Sequence, residues 1–135
     1  MIIDASVGSK WILLREADKE KALAILQDHL DQKEIITVPH LFFYEIANTC
    51  ATKTDFPYTN LEESLKMLFD AHLNVYHADD KVVTESTLLA KKFRTSVYDM
   101  LYAVVAKKYK TILVTADERF VSRTKFPFVK ALSQL

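Results

Sequence analysis

The chain has 135 residues, half of them hydrophobic, and its 18 basic and 18 acidic residues cancel to a formal net charge of zero. That length fits one globular domain spanning residues 1–135, since domains typically run to ~100–150 residues. Charge balance excludes an overall field that would draw the chain to nucleic acid or to an acidic membrane, so any polyanion must be held locally. The single cysteine, Cys50, excludes an internal disulfide framework and a Cys-rich zinc site, and it reads as a buried helix residue. The chain opens directly on an apolar run with no basic n-region and no small-residue cleavage site. Its longest charge-free apolar stretch, Met100 to Ala106, is far shorter than the ~20 residues a bilayer requires. A soluble, cytoplasmic protein with no membrane partner is expected.

In chain order, Met1-Ile2-Ile3 reads as a strand that ends at Asp4. A short helix through Trp11 and Leu14 follows, then a second from about Asp18 to Leu30 with Ala22, Ile25, Leu26 and Leu30 on one face. Ile35 to Val38 is β-branched and stops at Pro39, which reads as a short buried strand. The next helix carries Glu45. The pattern breaks around Asp55 to Asn60 at Pro57, and Leu61, Leu65, Leu68 and Phe69 restore helical spacing up to the strand-like Asn74-Val75-Tyr76-His77. Asp79 or Asp80 starts a further helix with Val82, Val83, Ser86, Leu89, Ala90 and Phe93 toward the core. A helix headed by Ser96 and Asp99, the strand Ile112 to Ala116, a short helix after Asp117 and a last strand near Phe128-Val129 complete the order. Short strands alternating with helices imply right-handed crossovers. The fold class expected is a three-layer α/β/α sandwich, with a short, mainly parallel central sheet and helices on both faces.

Four acids, Asp4, Glu45, Asp99 and Asp117, are each tied to an apolar element. Asp4 and Asp117 stand at the ends of the two most apolar strand-like runs, and in a parallel sheet such ends share one rim, where ligands bind. Carboxylates gathered there repel one another, so the arrangement asks for a hard divalent cation. Each acid also has a plain reading. Asp4 and Asp117 can be helix N-caps, Asp99 can complete a capping box with Ser96, and Glu45 aligns with Asn48, Thr49 and Thr52 in a polar stripe that could face solvent. Position shared by all four is the argument for a site.

Other chemistry finds no support. His29, His40, His72 and His77 lack metal-ligand spacing and read as structural or surface residues, and Ser6 and Ser96 lack the nucleophile-elbow motif. Of the basic clusters, Arg119, Arg123 and Lys125 adjoin Asp117 and are the best candidates for phosphate contacts. Phe42, Phe43, Phe56 and Tyr58 are candidates for an apolar interface, with core packing as their alternative use.

The segments Ile2-Ile3-Asp4-Ala5-Ser6, Tyr44-Glu45-Ile46-Ala47-Asn48, Ser96-Val97-Tyr98-Asp99-Met100-Leu101-Tyr102 and Val114-Thr115-Ala116-Asp117-Glu118-Arg119-Phe120, in that order, resemble the PIN-domain nucleases, and most of all VapC-type toxins of prokaryotic toxin–antitoxin pairs. The resemblance implies metal-binding and catalytic roles for Asp4, Glu45, Asp99 and Asp117, with Ser6, Asn48 and Thr115 as supporting polar groups. It further implies an endoribonuclease that hydrolyses RNA phosphodiesters with Mg²⁺ or Mn²⁺, a VapB-like antitoxin partner and a homodimer. Many relatives carry another acid two residues after the last aspartate, where this chain has Arg119, so one firm Mg²⁺ or Mn²⁺ site is expected and a second that fills only with substrate, while substitution by Glu118 is left open. Two rival readings stand beside it. A non-catalytic or solitary PIN-like RNA-binding or RNA-processing module is kept alive by Arg119, and an aspartyl-phosphate phosphatase is weakened because Ser6 replaces the second aspartate of the Asp-x-Asp expected there.

Overall fold

The computed structural model describes residues 1–53 and 56–135; Asp55, where the sequence pattern was expected to break, lies outside them. Five strands, β1 (Ile2–Ile3), β2 (Thr37–Pro39), β3 (Asn74–Tyr76), β4 (Leu113–Thr115) and β5 (Val129–Ala131), form one sheet in the order β3-β2-β1-β4-β5. Every pairing is parallel, with Ile2 opposite Thr37 on one side of β1 and opposite Leu113 on the other. The central strands are apolar along their length because both faces are covered, and Ile2, Ile3, Leu113 and Val114 are all at most 1% exposed.

Between the strands run α1 (Ala5–Ile12), α2 (Lys19–Leu30), α3 (Leu41–Thr52), α4 (Leu61–Asp70), α5 (Asp80–Phe93), α6 (Val97–Lys108) and α7 (Glu118–Thr124). The chain steps outward from β1 to β2 and β3, then returns past β1 to β4 and β5. Right-handed crossovers therefore put α1 to α4 on one face and α5 to α7 on the other. This is the three-layer α/β/α arrangement expected from the sequence. The direction of winding reverses between β1 and β4, and the crevice beyond their carboxyl ends is where open α/β sheets bind ligands.

Strand ends are tied to the helices they launch. The only glycine, Gly8, lets α1 approach α3 closely, because a Cβ there would lie 2.3 Å from Phe42 Cζ and 2.7 Å from Ile46 Cδ1. Trp11 packs edge-on to Phe42 and donates its indole N–H to the Ala22 carbonyl at 2.9 Å, which fixes α2 against α1. Cys50 is buried and forms no disulfide, and burial pushes its thiol pKa up.

Several periodic positions fall outside the core. On α2, Leu30 is 52% exposed and His29 takes its place inside. Phe69 on α4 and Val83 on α5 are likewise exposed, as surface helices bury a narrower stripe than their apolar residues cover. Of the aromatic interface candidates, Phe42 is fully buried, Phe43 and Phe56 are half-buried and Tyr58 is exposed. Strand β2 starts at Thr37 rather than Ile35, whose side chain is exposed.

His29 has a structural use. Its Nδ1 accepts the Ile36 amide at 3.2 Å, so Nε2 carries the proton and donates to the Ala71 carbonyl at 3.1 Å. One ring thus joins α2 to the entries of two strands. His29→Leu leaves both backbone groups buried without a partner, at roughly 1–3 kcal/mol each. Denaturant unfolding should therefore show a loss of about 2–6 kcal/mol, and a loss below ~0.5 kcal/mol would contradict this role.

Candidate active site

Each acid arrives through local capping chemistry. Asp4 ends β1 and N-caps α1, its Oδ1 accepting the Ser6 amide at 3.0 Å and the Val7 amide at 3.2 Å. Asp117 ends the β4 segment and N-caps α7 by accepting the amides of Arg119 and Phe120 at 2.9 and 3.0 Å through Oδ1. Ser96 N-caps α6, its Oγ accepting the Asp99 amide at 3.0 Å and donating to Asp99 Oδ2 at 2.6 Å. Capping and a shared site are therefore compatible: the caps hold three carboxylates at the carboxyl rim of the sheet.

Asp4, Glu45, Asp99 and Asp117 line one cavity of about 240 Å³ together with Ala5, Ser6, Ser9, Thr49 and Tyr102. It opens over the ends of β1 and β4, at the winding reversal. Glu45 comes from the second turn of α3, and its Oε2 accepts the Tyr102 hydroxyl at 2.6 Å across 57 residues of sequence. For Glu45, Asp99 and Asp117 these bonds fall on one carboxylate oxygen, which leaves the other oxygen to the cavity.

The charges feel one another. Burial drives the Asp4 carboxyl up to about 6; hydrogen bonds from Ser6, Thr115 and the Val7 amide oppose this, and the neighbouring Asp99 charge adds to it. Burial also raises Glu45, against the Tyr102 hydrogen bond and with the charges of Asp4 and Asp99. Tyr102 is itself raised, first by burial and then by Glu45.

The supporting residues divide. Ser6 Oγ donates to Asp4 Oδ1 and accepts the Ala116 amide at 2.8 Å, so it stitches the ends of β1 and β4 together. Thr115 is fully buried behind them and accepts the Asp117 amide at 2.9 Å. Asn48 stands off: it is exposed and outside the cavity, while Thr49, four residues on from Glu45 and so nearly above it on the helix, lines the wall. Thr52 is exposed as well. Arg119, Arg123 and Lys125 are exposed on or just after α7, and Arg123 Nη1 donates to the Arg94 carbonyl, which draws Arg94 into the same ridge. Glu118 Oε1 accepts the Ser133 hydroxyl at 2.8 Å and is outside the cavity, so it does not fill the position that Arg119 leaves without an acid.

The sequence pattern singled out neither Tyr102 nor Ser9 as a site residue, and it placed Thr49 only in the polar stripe with Glu45. Tyr102 lies three residues after Asp99, one helical turn along the same face, and Thr49 bears the same relation to Glu45 at four residues; those spacings were the available signals.

A model of the PIN domain matches residues 1–126. The chain belongs to the PIN-domain family. Solved structures agree on the fold. This PIN domain superposes on PAE2754 from Pyrobaculum aerophilum with a TM-score of 0.71 at 19% identity, over 98% of this chain and 83% of that one. It also superposes on a toxin–antitoxin complex from Klebsiella pneumoniae with a TM-score of 0.70 at 11% identity, over 97% and 96% of the two chains. VapC20 of Mycobacterium tuberculosis, described as a toxin that cleaves the sarcin–ricin loop, gives 0.68 at 11% identity over 90% and 92%. No curated protein matches this chain in sequence. Among the described residues no helix is long and apolar enough to cross a membrane.

The donor set suits a hard cation of the Mg²⁺ kind. Carboxylate oxygens dominate the cavity, and a buried aspartate whose carboxyl is held up to about 6 carries a penalty that a cation would relieve. Among the described residues, however, no three His, Cys, Asp or Glu side chains are gathered tightly enough to hold a metal ion as they stand. Mg²⁺ keeps several waters and commonly takes one or two carboxylates plus substrate phosphates, so a closed cage is not required.

Proposed function

We propose that this PIN domain is a metal-dependent endoribonuclease and the toxin of a VapBC-type pair. The observation that carries the reading is the convergence of Asp4, Glu45, Asp99 and Asp117 on one cavity at the winding reversal. Similarity to a toxin–antitoxin complex and to a toxin described as cleaving the sarcin–ricin loop supports the toxin assignment, with a VapB-like antitoxin and a second copy of this chain as partners. Asp4, Asp99 and Asp117 would hold one divalent cation, with Glu45 beside them. When bound, Mg²⁺ or Mn²⁺ neutralises charge on the phosphate oxygens and lowers the pKa of water. A second acidic ligand set is not completed, since Arg119 is exposed and Glu118 is engaged with Ser133.

The protein's own groups do the rest. Glu45, with Oε2 held by Tyr102, presents Oε1 as proton acceptor for the attacking water. Ser6 and Thr115 fix the Asp4 carboxylate. Arg119, Arg123 and Lys125 offer positive charge to phosphates on the α7 side of the cut. Tyr102→Phe removes a hydrogen bond that lowers the Glu45 pKa, so that pKa rises further. A bond to a charged acceptor contributes roughly 1.5–3 kcal/mol, so kcat should drop by about tenfold or more, and the acid limb of the pH–rate profile should move to higher pH. An unmoved acid limb would remove Glu45 from the proton-transfer role.

The reading is tested by incubating the protein with single-stranded and structured RNA in Mn²⁺ or in EDTA, beside an aryl phosphate. RNA cleavage that EDTA stops supports it. Intact RNA contradicts it, and turnover of the aryl phosphate alone would favour the aspartyl-phosphate chemistry.

A further inference from the structure

The same sheet rim carries a second feature that the acids do not use. Pro39 and Tyr76 are register partners at the ends of β2 and β3, so the next residues, His40 and His77, come side by side. Their rings stack with centroids 5.5 Å apart and planes 26° apart, and the edge of Tyr44 meets His40 at 5.1 Å. All three rings are exposed, Tyr44 by 64%. Phe43 backs them from below, 6.0 Å from His40 and itself stacked on Phe69. Solvated aromatic rings in mutual contact form a surface made for planar ligands rather than a core fragment.

We infer that His40, His77 and Tyr44 form a stacking platform for a base of single-stranded RNA next to the scissile phosphate, which extends the nuclease reading and rests on it. Placement supports this. Tyr44 directly precedes Glu45 on α3, so platform and cavity share one helix turn. Adjacent strands lie about 4.8 Å apart, which puts the platform roughly 5–10 Å along the rim from the end of β1. That is the reach of a neighbouring nucleotide. On the opposite flank, beyond β4, the ridge of Arg94, Arg119 and Arg123 is basic. A strand crossing the rim thus meets rings, then carboxylates, then guanidinium groups. Stacking holds any base by its face, so the platform adds affinity on one side of the cut without reading sequence by hydrogen bonds.

The test compares the wild-type protein with His40→Ala, His77→Ala and Tyr44→Ala on single-stranded oligoribonucleotides in Mn²⁺. Binding of a 2-aminopurine oligonucleotide is followed in parallel by fluorescence quenching, with Asp99→Asn added to each of these proteins so that the strand stays intact. Tyr44→Ala and His40→Ala should each weaken binding about tenfold, the loss falling on KM more than on kcat and with quenching reduced, while Tyr44→Phe loses less than Tyr44→Ala. An abasic nucleotide beside the cut should produce the same loss in the wild type and no further loss in Tyr44→Ala. Cleavage by all three alanine variants with wild-type KM and quenching overturns the platform alone. Absence of cleavage by the wild type together with absence of binding by Asp99→Asn alone overturns the platform together with the nuclease reading.

Discussion

Asp4→Asn is expected to stabilise the metal-free protein at neutral pH while abolishing RNA cleavage. The Asp4 carboxyl is held at about 6 against an ordinary 3.8, chiefly because it is buried, so above pH 6 the folded state carries a charge it does not favour. The sign follows from proton binding. Between pH 3.8 and 6 the folded chain holds more protons than the unfolded one, so stability falls as pH rises through that window. The shift corresponds to about 3 kcal/mol. Asparagine keeps a neutral oxygen for the Ser6 and Val7 amides and is as good an N-cap as aspartate, so the variant escapes the charge penalty without losing the cap. Thermal unfolding in EDTA should show Asp4→Asn more stable by up to ~3 kcal/mol at pH 7.5, with the gain vanishing by pH 4. Equal stabilities at pH 7.5 would mean that Asp4 carries no stored electrostatic penalty, and residual cleavage at the wild-type rate would remove it from the chemistry.

The second large effect is the mirror of the first. If the penalty exists to be relieved by a cation, Mg²⁺ or Mn²⁺ should raise the stability of the wild-type chain, by about 2.7 kcal/mol at a concentration one hundred times the dissociation constant. Asp99→Asn should lose most of that gain, since Asp99 lines the same cavity and its charge raises both Asp4 and Glu45. Its own fold should survive, because the Asp99 amide still reaches Ser96 Oγ and only the reciprocal bond changes. Calorimetric unfolding with metal titrated against each variant measures both quantities. A metal-induced gain that Asp99→Asn retains in full would place the cation elsewhere.

Much of this site was legible in the sequence, and the reasons are local. Asp4 and Asp117 were readable because two apolar runs, buried on both faces of a parallel sheet, stop at an acid in each case, and strand direction then puts both acids on one rim. Asp99 was readable only as a cap, and the structure makes it a cap and a cavity wall at once. The stripe on α3 misled by one position: Glu45 and Thr49 face inward, whereas Asn48, 100° around the helix from Thr49, faces solvent. Tyr102's grip on Glu45 depends on α3 and α6 meeting across the sheet, which no spacing within either helix encodes. His29 shows the same limit in the core, since its two partners are the Ile36 amide just before β2 and a carbonyl 42 residues away.

Whether Asp4, Glu45, Asp99 and Asp117 form one metal-dependent RNA-cleaving site is decided by end analysis of an oligoribonucleotide incubated with the wild-type and Asp99→Asn proteins, in Mn²⁺ and in EDTA. Among the described residues no histidine lines the cavity, and water is the proposed nucleophile. The prediction is cleavage by the wild type in Mn²⁺ only, at least one hundredfold slower, as an order of magnitude, in Asp99→Asn, and with no 2′,3′-cyclic phosphate on the products. Cleavage that persists in EDTA or in Asp99→Asn, or products ending in cyclic phosphate, would contradict it.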